Sequence, residues 1–201
     1  MRKGFTLIEI LVVIGIIAVL IAATAGAFSK MTKSADKAKC QELVSNVSTA
    51  LVALFQADGV WPKALRTKGA TDGFLDDRAA YPLAKGGYLS LTVENGKLAG
   101  LDKFGILSPW GAAHVKRRGN AASLGDTVGL GTLQEHLLHY ALDLDGNGII
   151  EGANVGGETV DIRANVAVWC CGKDGKLEPY SRGLRSDDVY SWTKGQTVDV
   201  K

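Results

Sequence analysis

What most constrains this chain is an uninterrupted apolar run from Phe5 to Phe28, which holds one ionisable residue, Glu9, and no proline. At a rise of about 1.5 Å per residue, such a run forms a helix long enough to cross the roughly 30 Å hydrocarbon core of a bilayer. Arg2 and Lys3 precede it and would hold that end on the cytoplasmic side. A secretory signal places its small-residue cleavage site after the apolar region, whereas here the small residue, Gly4, lies before it. Cleavage after Gly4 would therefore leave the run on the mature chain. A carboxylate inside a bilayer costs on the order of 3 kcal/mol or more and calls for a partner. Cleavage would create an α-ammonium on Phe5, one helical turn from Glu9. Two copies staggered along their axes could then neutralise each other, amine to carboxylate.

Gly4-Phe5-Thr6-Leu7-Ile8-Glu9 resembles the processing site of type IV prepilins and type II secretion pseudopilins. The resemblance implies removal of a leader, residues 1–4, by prepilin peptidase and N-methylation of Phe5. It also implies assembly into a filament through the N-terminal helix, with Glu9 as the assembly residue.

Composition agrees with one compact domain beyond that helix. Without Arg2 and Lys3 the 23 basic side chains fall to 21, the number of acidic ones, so nucleic acid is not an expected partner. Twenty-five glycines point to a loop-rich domain. The three cysteines, Cys40, Cys170 and Cys171, fit no zinc-ribbon spacing; outside the cytoplasm they allow one disulfide and leave a thiol over.

After Phe28 the helix turns amphipathic. Cys40, Leu43, Val44, Val47, Ala50, Leu51, Leu54 and Phe55 recur at three- and four-residue intervals. The run closes at Asp58-Gly59, with Pro62 beyond. One helix is predicted from about Phe5 to Asp58, with residues 5–28 as transmembrane or filament-core segment and 29–58 as amphipathic continuation. Gly26 weakens it locally but leaves the backbone hydrogen bond possible.

Residues 59–201 form the globular part. From 59 to 108 the pattern is loop with short pieces. Tyr81-Pro82 and Gly86-Gly87 are turn signals, Leu89–Val93 alternates like a strand, and Glu94-Asn95-Gly96-Lys97 is a hairpin turn. Ser108-Pro109-Trp110-Gly111 reads as a tight turn with a packed tryptophan. A short helix is expected from about Leu130 to Leu142. It carries His136 and His139, read as surface or partly packed, since two ligands do not make a zinc site. No nucleophile motif or phosphate-binding loop is present, so no enzymatic activity is expected.

Two acidic segments suggest calcium. In Asp143-Leu144-Asp145-Gly146-Asn147-Gly148-Ile149, oxygen side chains stand at loop positions 1, 3 and 5, glycine at 6 and a carbonyl at 7. Asn154 replaces the usual glutamate at position 12, and Glu151 at position 9 could partly compensate; weak binding is expected. The second segment pairs Asp187 with Asp188, which repel unless solvated or bound to a cation. Between the two segments, Val160, Ile162, Val166, Val168 and Cys170 alternate like a strand, and Thr193 to Lys201 reads as a short tail.

Further motifs sharpen the resemblance. Gly86-Gly87-Tyr88-Leu89 followed by Ser108-Pro109-Trp110-Gly111, and Cys171-Gly172-Lys173-Asp174-Gly175 followed by Asp187-Asp188-Val189-Tyr190-Ser191-Trp192, are similar to motifs of the major pseudopilin of type II secretion. Ser108 replaces an aspartate, and the spacing from Asp174 to Asp187 is longer than in that family. The resemblance implies a structural calcium ion held by Asp174, Asp187, Asp188 and the Cys171 carbonyl. Residues at about 112–160 look like an insertion.

The reading is thus an α+β protein: a long N-terminal helix packed on a small antiparallel sheet closed by a C-terminal calcium loop. It implies an inner-membrane, single-pass subunit with a periplasmic domain, assembling with itself, minor pseudopilins and an inner-membrane platform to move folded proteins across the outer membrane. The alternatives are a type IV pilin or minor pilin for adhesion, motility or DNA uptake, and a monomeric membrane-anchored binding domain.

Overall fold

The computed structural model describes residues 6–182 and 187–198; the side chains of 23–30, 33, 182 and 194 lie outside the described residues, as do the leader, Gly4 and Phe5. In chain order come helix α1 (Leu7–Asp58), α2 (Lys63–Arg66), strand β1 (Gly73–Phe74), α3 (Asp77–Lys85), the hairpin β2 (Val93–Glu94) and β3 (Lys97–Leu98), and α4 (Pro109–Arg118). A second small hairpin follows, β4 (Thr127–Val128) and β5 (Gly131–Thr132). The remaining strands are β6 (His139–Leu142), β7 (Ile150–Val155), β8 (Glu158–Ile162), β9 (Val166–Cys170), β10 (Val189–Tyr190) and β11 (Thr197–Val198).

Contacts divide the chain into two compact units, residues 1–36 and 37–201. In the first, α1 begins at Leu7 and runs through Gly26 without a break, as expected of a glycine that keeps its N–H. Its described apolar side chains, Leu7 to Ile21, are exposed all round; Leu7 is 84% and Val19 69% exposed. No helix is long and apolar enough to cross a membrane among the described residues, which exclude the side chains of 23–30.

In the second unit the stripe of α1 does what its spacing predicts. Cys40, Val44, Val47, Leu51 and Leu54 are buried in one cluster with Leu138, Tyr140, Leu142, Val168 and Cys170. α1 ends where Gly59 adopts φ 67° and donates to the Phe55 carbonyl at 2.8 Å. The sheet it packs on is antiparallel, in the order β1-β6-β9-β10. A second antiparallel sheet, β11-β8-β7, covers the other face, burying Ala141, Ala167 and Trp169 with Ile150, Val155, Val160 and Ile162.

This sandwich corrects the helix expected over 130–142. Those residues instead make β5, a 3-10 turn at Gln134–His136 and the central strand β6. Leu138, Tyr140 and Leu142 face α1 while Ala141 faces the second sheet, so both faces need apolar side chains and the period-2 signal vanishes. His136 and His139 are accordingly buried, at 0% and 5% exposure, not at the surface.

Other local expectations shift. Pro82 lies inside α3, whose Asp76 N-cap accepts from Ala79 N at 2.9 Å, and not in a turn. Ser108-Pro109 starts α4, serine as N-cap and proline in the first helical turn, and not a tight turn. Leu89–Thr92 are not strand, but the Asn95-Gly96 hairpin forms, with φ 51° and 73°. The alternating run from Val160 to Cys170 is two strands in different sheets, and the tail contributes β11. Cys40 pairs with Cys170, leaving Cys171 a buried thiol.

Candidate functional site

At the start of α1, Thr6 and Glu9 cap each other. The Thr6 amide and hydroxyl both donate to Glu9 Oε2 at 2.8 Å, and Glu9 N donates to Thr6 Oγ1 at 3.4 Å. This capping box satisfies amides that have no partner within the helix. The Thr-x-x-Glu spacing announces it, although the same carboxylate reads first as a charge within an apolar run. The α-amine that cleavage would create lies at Phe5, outside the described residues.

The loop joining β6 to β7 holds Asp143, Asp145, Asn147 and Ile149, and Glu151 follows as the second residue of β7. Asp143 is 6% exposed; its Oδ1 accepts from Gly146 N at 2.7 Å and its Oδ2 from Gly148 N at 2.8 Å. Both glycines have positive φ, 77° and 83°, which lets the chain coil around the carboxylate. Burial pushes the Asp143 carboxyl up, but the Gly148 amide, the Asp145 side chain and the Gly146 and Asn147 amides outweigh it and hold it below its ordinary value. Asp145 accepts from Asn147 Nδ2 at 2.9 Å, and Asn147 Oδ1 accepts from Ile149 N at 2.7 Å. Asp145 and Glu151 line one hollow of about 150 Å³ with Ala70, Leu142, Leu144 and Ile149.

The second acidic group closes on the strand end of β9. β10 pairs with β9, Val189 opposite Cys170, which sets Asp187 and Asp188 beside the chain that follows Cys171. Asp188 is 4% exposed; Oδ1 accepts from Gly172 N at 2.9 Å and Oδ2 from Glu178 N at 3.0 Å. Asp187 accepts from Lys173 N at 2.6 Å. A Cβ on Gly172 would stand 2.0 Å from Asp187 Cγ, so a side chain there would displace the Asp187 carboxylate. Asp174 accepts instead from Lys176 N at 3.0 Å, and its carbonyl accepts from Leu130 N. The Asp187–Asp188 pair and the Gly172–Glu178 segment thus come together, while Asp174 is engaged locally. Among the described residues, no group of three or more His, Cys, Asp or Glu is placed to hold a metal ion.

Sequence reasoning missed three polar pairs. Ser108 Oγ lies 2.9 Å from His136 Nδ1, and His136 Nε2 lies 3.2 Å from the Val128 carbonyl. A hydroxyl–imidazole pair is a nucleophile arrangement in an open cleft, but both residues here are 0% exposed and both ring nitrogens are engaged. Burial holds His136 below its ordinary value, and burial pushes the neighbouring Cys171 thiol up. His139 Nδ1 lies 2.7 Å from Asp72 Oδ1, so the two histidines share no ligand position. His114 Nε2 lies 3.1 Å from Asp126 Oδ2. None of these pairs is close in sequence, and no short motif announces them.

Residues 1–25 match the prokaryotic N-terminal methylation motif, which supports a type IV pilin-like protein. No curated protein and no solved structure matches the chain.

Proposed function

We propose that this chain is a structural subunit of a periplasmic pseudopilus of a type II secretion system, polymerising through its N-terminal helix. The observation that carries the reading is the coincidence, within one segment, of the methylation motif at 1–25 and an exposed apolar helix surface from Leu7 to Ile21. An apolar surface of that extent calls for lipid or for other copies of itself. The apolar run through Phe28, longer than its described part, crosses the inner membrane once before assembly. Prepilin peptidase removes residues 1–4, and Phe5 is methylated. In the filament, the ammonium of Phe5 on one copy meets Glu9 of another; the capping box supplies Glu9 with donors while the subunit is still a monomer.

The Cys40–Cys170 disulfide supports a domain outside the reducing cytoplasm, which for this topology is the periplasm. Growth of the filament, with minor pseudopilins and an inner-membrane platform, would then help move folded proteins across the outer membrane. Calcium belongs to the proposal as a structural ion. The candidate ligands are Asp174, Asp187, Asp188 and the Cys171 carbonyl, with Asp143, Asp145, Asn147, Glu151 and the Ile149 carbonyl as a second set. The donor chemistry fits: both sets are hard oxygen ligands, as calcium requires. The Asp143 and Asp188 carboxylates now accept from backbone amides, so binding would exchange those amides for the ion.

The test is mass spectrometry of the N-terminus from cells with an intact secretion system. A mature chain beginning at methylated Phe5 supports the reading; a chain still beginning at Met1 overturns it. Long fibres on the cell surface would move the assignment to a pilin.

A further inference from the structure

Two Asn-Gly bonds lie in turns, Asn95-Gly96 and Asn147-Gly148, and both asparagines are exposed. Such bonds are chemically labile, because glycine carries no Cβ to obstruct attack of its own nitrogen on the asparagine Cγ. The attack needs a backbone N–H free to lose its proton and a carboxamide free to rotate onto that nitrogen. Exposure does not distinguish the two sites; hydrogen bonding does.

At Asn147 both requirements are blocked. Gly148 N donates to Asp143 Oδ2 at 2.8 Å, which places a carboxylate on the proton that must leave and fixes the nitrogen's direction. The Asn147 carboxamide is held at both ends, Nδ2 on Asp145 Oδ2 at 2.9 Å and Oδ1 on Ile149 N at 2.7 Å. At Asn95 neither block exists. Asn95 and Gly96 are the two turn residues between the paired Glu94 and Lys97. Among the described residues, neither the Asn95 carboxamide nor the Gly96 N–H has a hydrogen-bond partner. The space is also open: the nearest atom to a Cβ built on Gly96 is the Tyr81 hydroxyl, at 3.9 Å.

We infer that Asn95 is a site of spontaneous deamidation, and that Asp143 and Asp145 protect Asn147 from the same reaction. Gly96 N gives its proton to solvent hydroxide and bonds to Asn95 Cγ. The carboxamide C–N bond breaks, and ammonia leaves with a proton taken from water. Water then opens the succinimide at either carbonyl, giving aspartate or isoaspartate, so the net change consumes water and releases ammonia with no oxidation or reduction. The aspartate product still suits the turn, since Asp-Gly adopts the same conformation, and it adds a negative charge beside Glu94. The isoaspartate product lengthens the backbone of a two-residue turn and breaks the register that sets Val93 opposite Leu98.

The experiment incubates the full chain, purified in detergent, at mildly alkaline pH and follows both sites by peptide mapping with isoaspartate detection. Asn95 is expected to convert at least about tenfold faster than Asn147, because several hydrogen bonds must open before Asn147 reacts. Asp145→Ala releases the Nδ2 end of the Asn147 carboxamide and should accelerate Asn147 while leaving Asn95 unchanged. Equal rates, a faster Asn147, or an Asp145→Ala chain in which Asn147 stays as slow as before would each overturn the inference.

Discussion

Thr6 gives Glu9 two donors, amide and hydroxyl, on a single carboxylate oxygen, and takes the Glu9 amide in return. The residue that looks most out of place in the apolar run is therefore tied into the first turn of its own helix. Capping leaves the other carboxylate oxygen for a partner, so a capped Glu9 and an assembling Glu9 are compatible. Capping and charge can be separated by substitution. Thr6→Ala should cost about 1 kcal/mol of local helix stability and lower filament yield only modestly. Glu9→Leu should hold the monomer in the membrane and abolish filaments, and Glu9→Gln, which keeps an acceptor for Thr6, should assemble almost as poorly. Filaments sheared from cells and quantified by blot decide this. Normal yield from Glu9→Leu would remove charge pairing from the account.

Processing at Gly4 is tested by Gly4→Val. A β-carbon there obstructs the close backbone approach that glycine allows. Full-length protein should accumulate in the membrane fraction with no mature form; a normal mature band would show that cleavage does not occur after Gly4.

The calcium proposal has a thermodynamic signature. An ion that binds only the folded state raises stability by about 2.7 kcal/mol at a hundred times Kd. Asp188 is buried and already bonded to Gly172 and Glu178, so Asp187→Ala/Asp188→Ala should destabilise the chain even in chelator. The informative quantity is thus the increment on adding calcium. That increment should vanish for the most part in Asp187→Ala/Asp188→Ala and fall less in Asp143→Ala/Asp145→Ala. The reverse order would make the β6–β7 loop the principal site, and no increment in the unaltered chain would remove calcium altogether.

Asp126 gives a pH dependence. His114 Nε2, the Ser123 amide and hydroxyl and the nearby Arg118 lower its carboxyl to about 2, against an opposing effect of burial. A carboxyl whose folded-state value is depressed contributes stability above its unfolded value, about 4, and that contribution is lost as pH falls from about 4 to about 2. Asp126→Asn should melt lower than the unaltered chain at neutral pH, and the gap should close across that acid window. A gap that stays constant with pH would mean that the carboxylate's charge is not what matters at Asp126.

The core prediction concerns Leu51, which is fully buried where α1 meets the β6 side of the sheet. Leu51→Ala should cost about 2–5 kcal/mol, read from denaturant midpoints. A loss below about 1 kcal/mol would mean that the helix is not anchored through that stripe.

What the sequence revealed follows from which signals are local. The long helix, its stripe from Cys40 to Leu54, its end at Gly59 and the Asn95-Gly96 turn all rest on residues a few positions apart, and they were legible. β6 was not, because a strand covered on both faces shows no alternation, and Leu137-Leu138 with Ala141-Leu142 fits a helical spacing equally well. Ser108 and Pro109 carry a helix-start signature, but Ser-Pro followed by Trp-Gly fits a tight turn equally well. The Asp143 loop announced its own turn, since its partners lie within five residues. Gly172 looks like any loop glycine; only the pairing of β10 with β9 brings the Asp187 carboxylate against it, where a side chain would displace that carboxylate. His136 with Ser108, and His139 with Asp72, are joined across 28 and 67 residues, a distance no spacing rule spans.

The bond between Cys40 and Cys170 has a mechanical meaning. It links α1 to the middle of the four-stranded sheet across a sequence separation of 130 residues. Tension applied along α1 reaches β9 through two sulfur atoms, bypassing the intervening chain and the apolar contacts of the stripe. The helix can be pulled without being peeled from the domain it carries, so a subunit hauled by its N-terminal end would bring its whole domain along as cargo on a covalent tether.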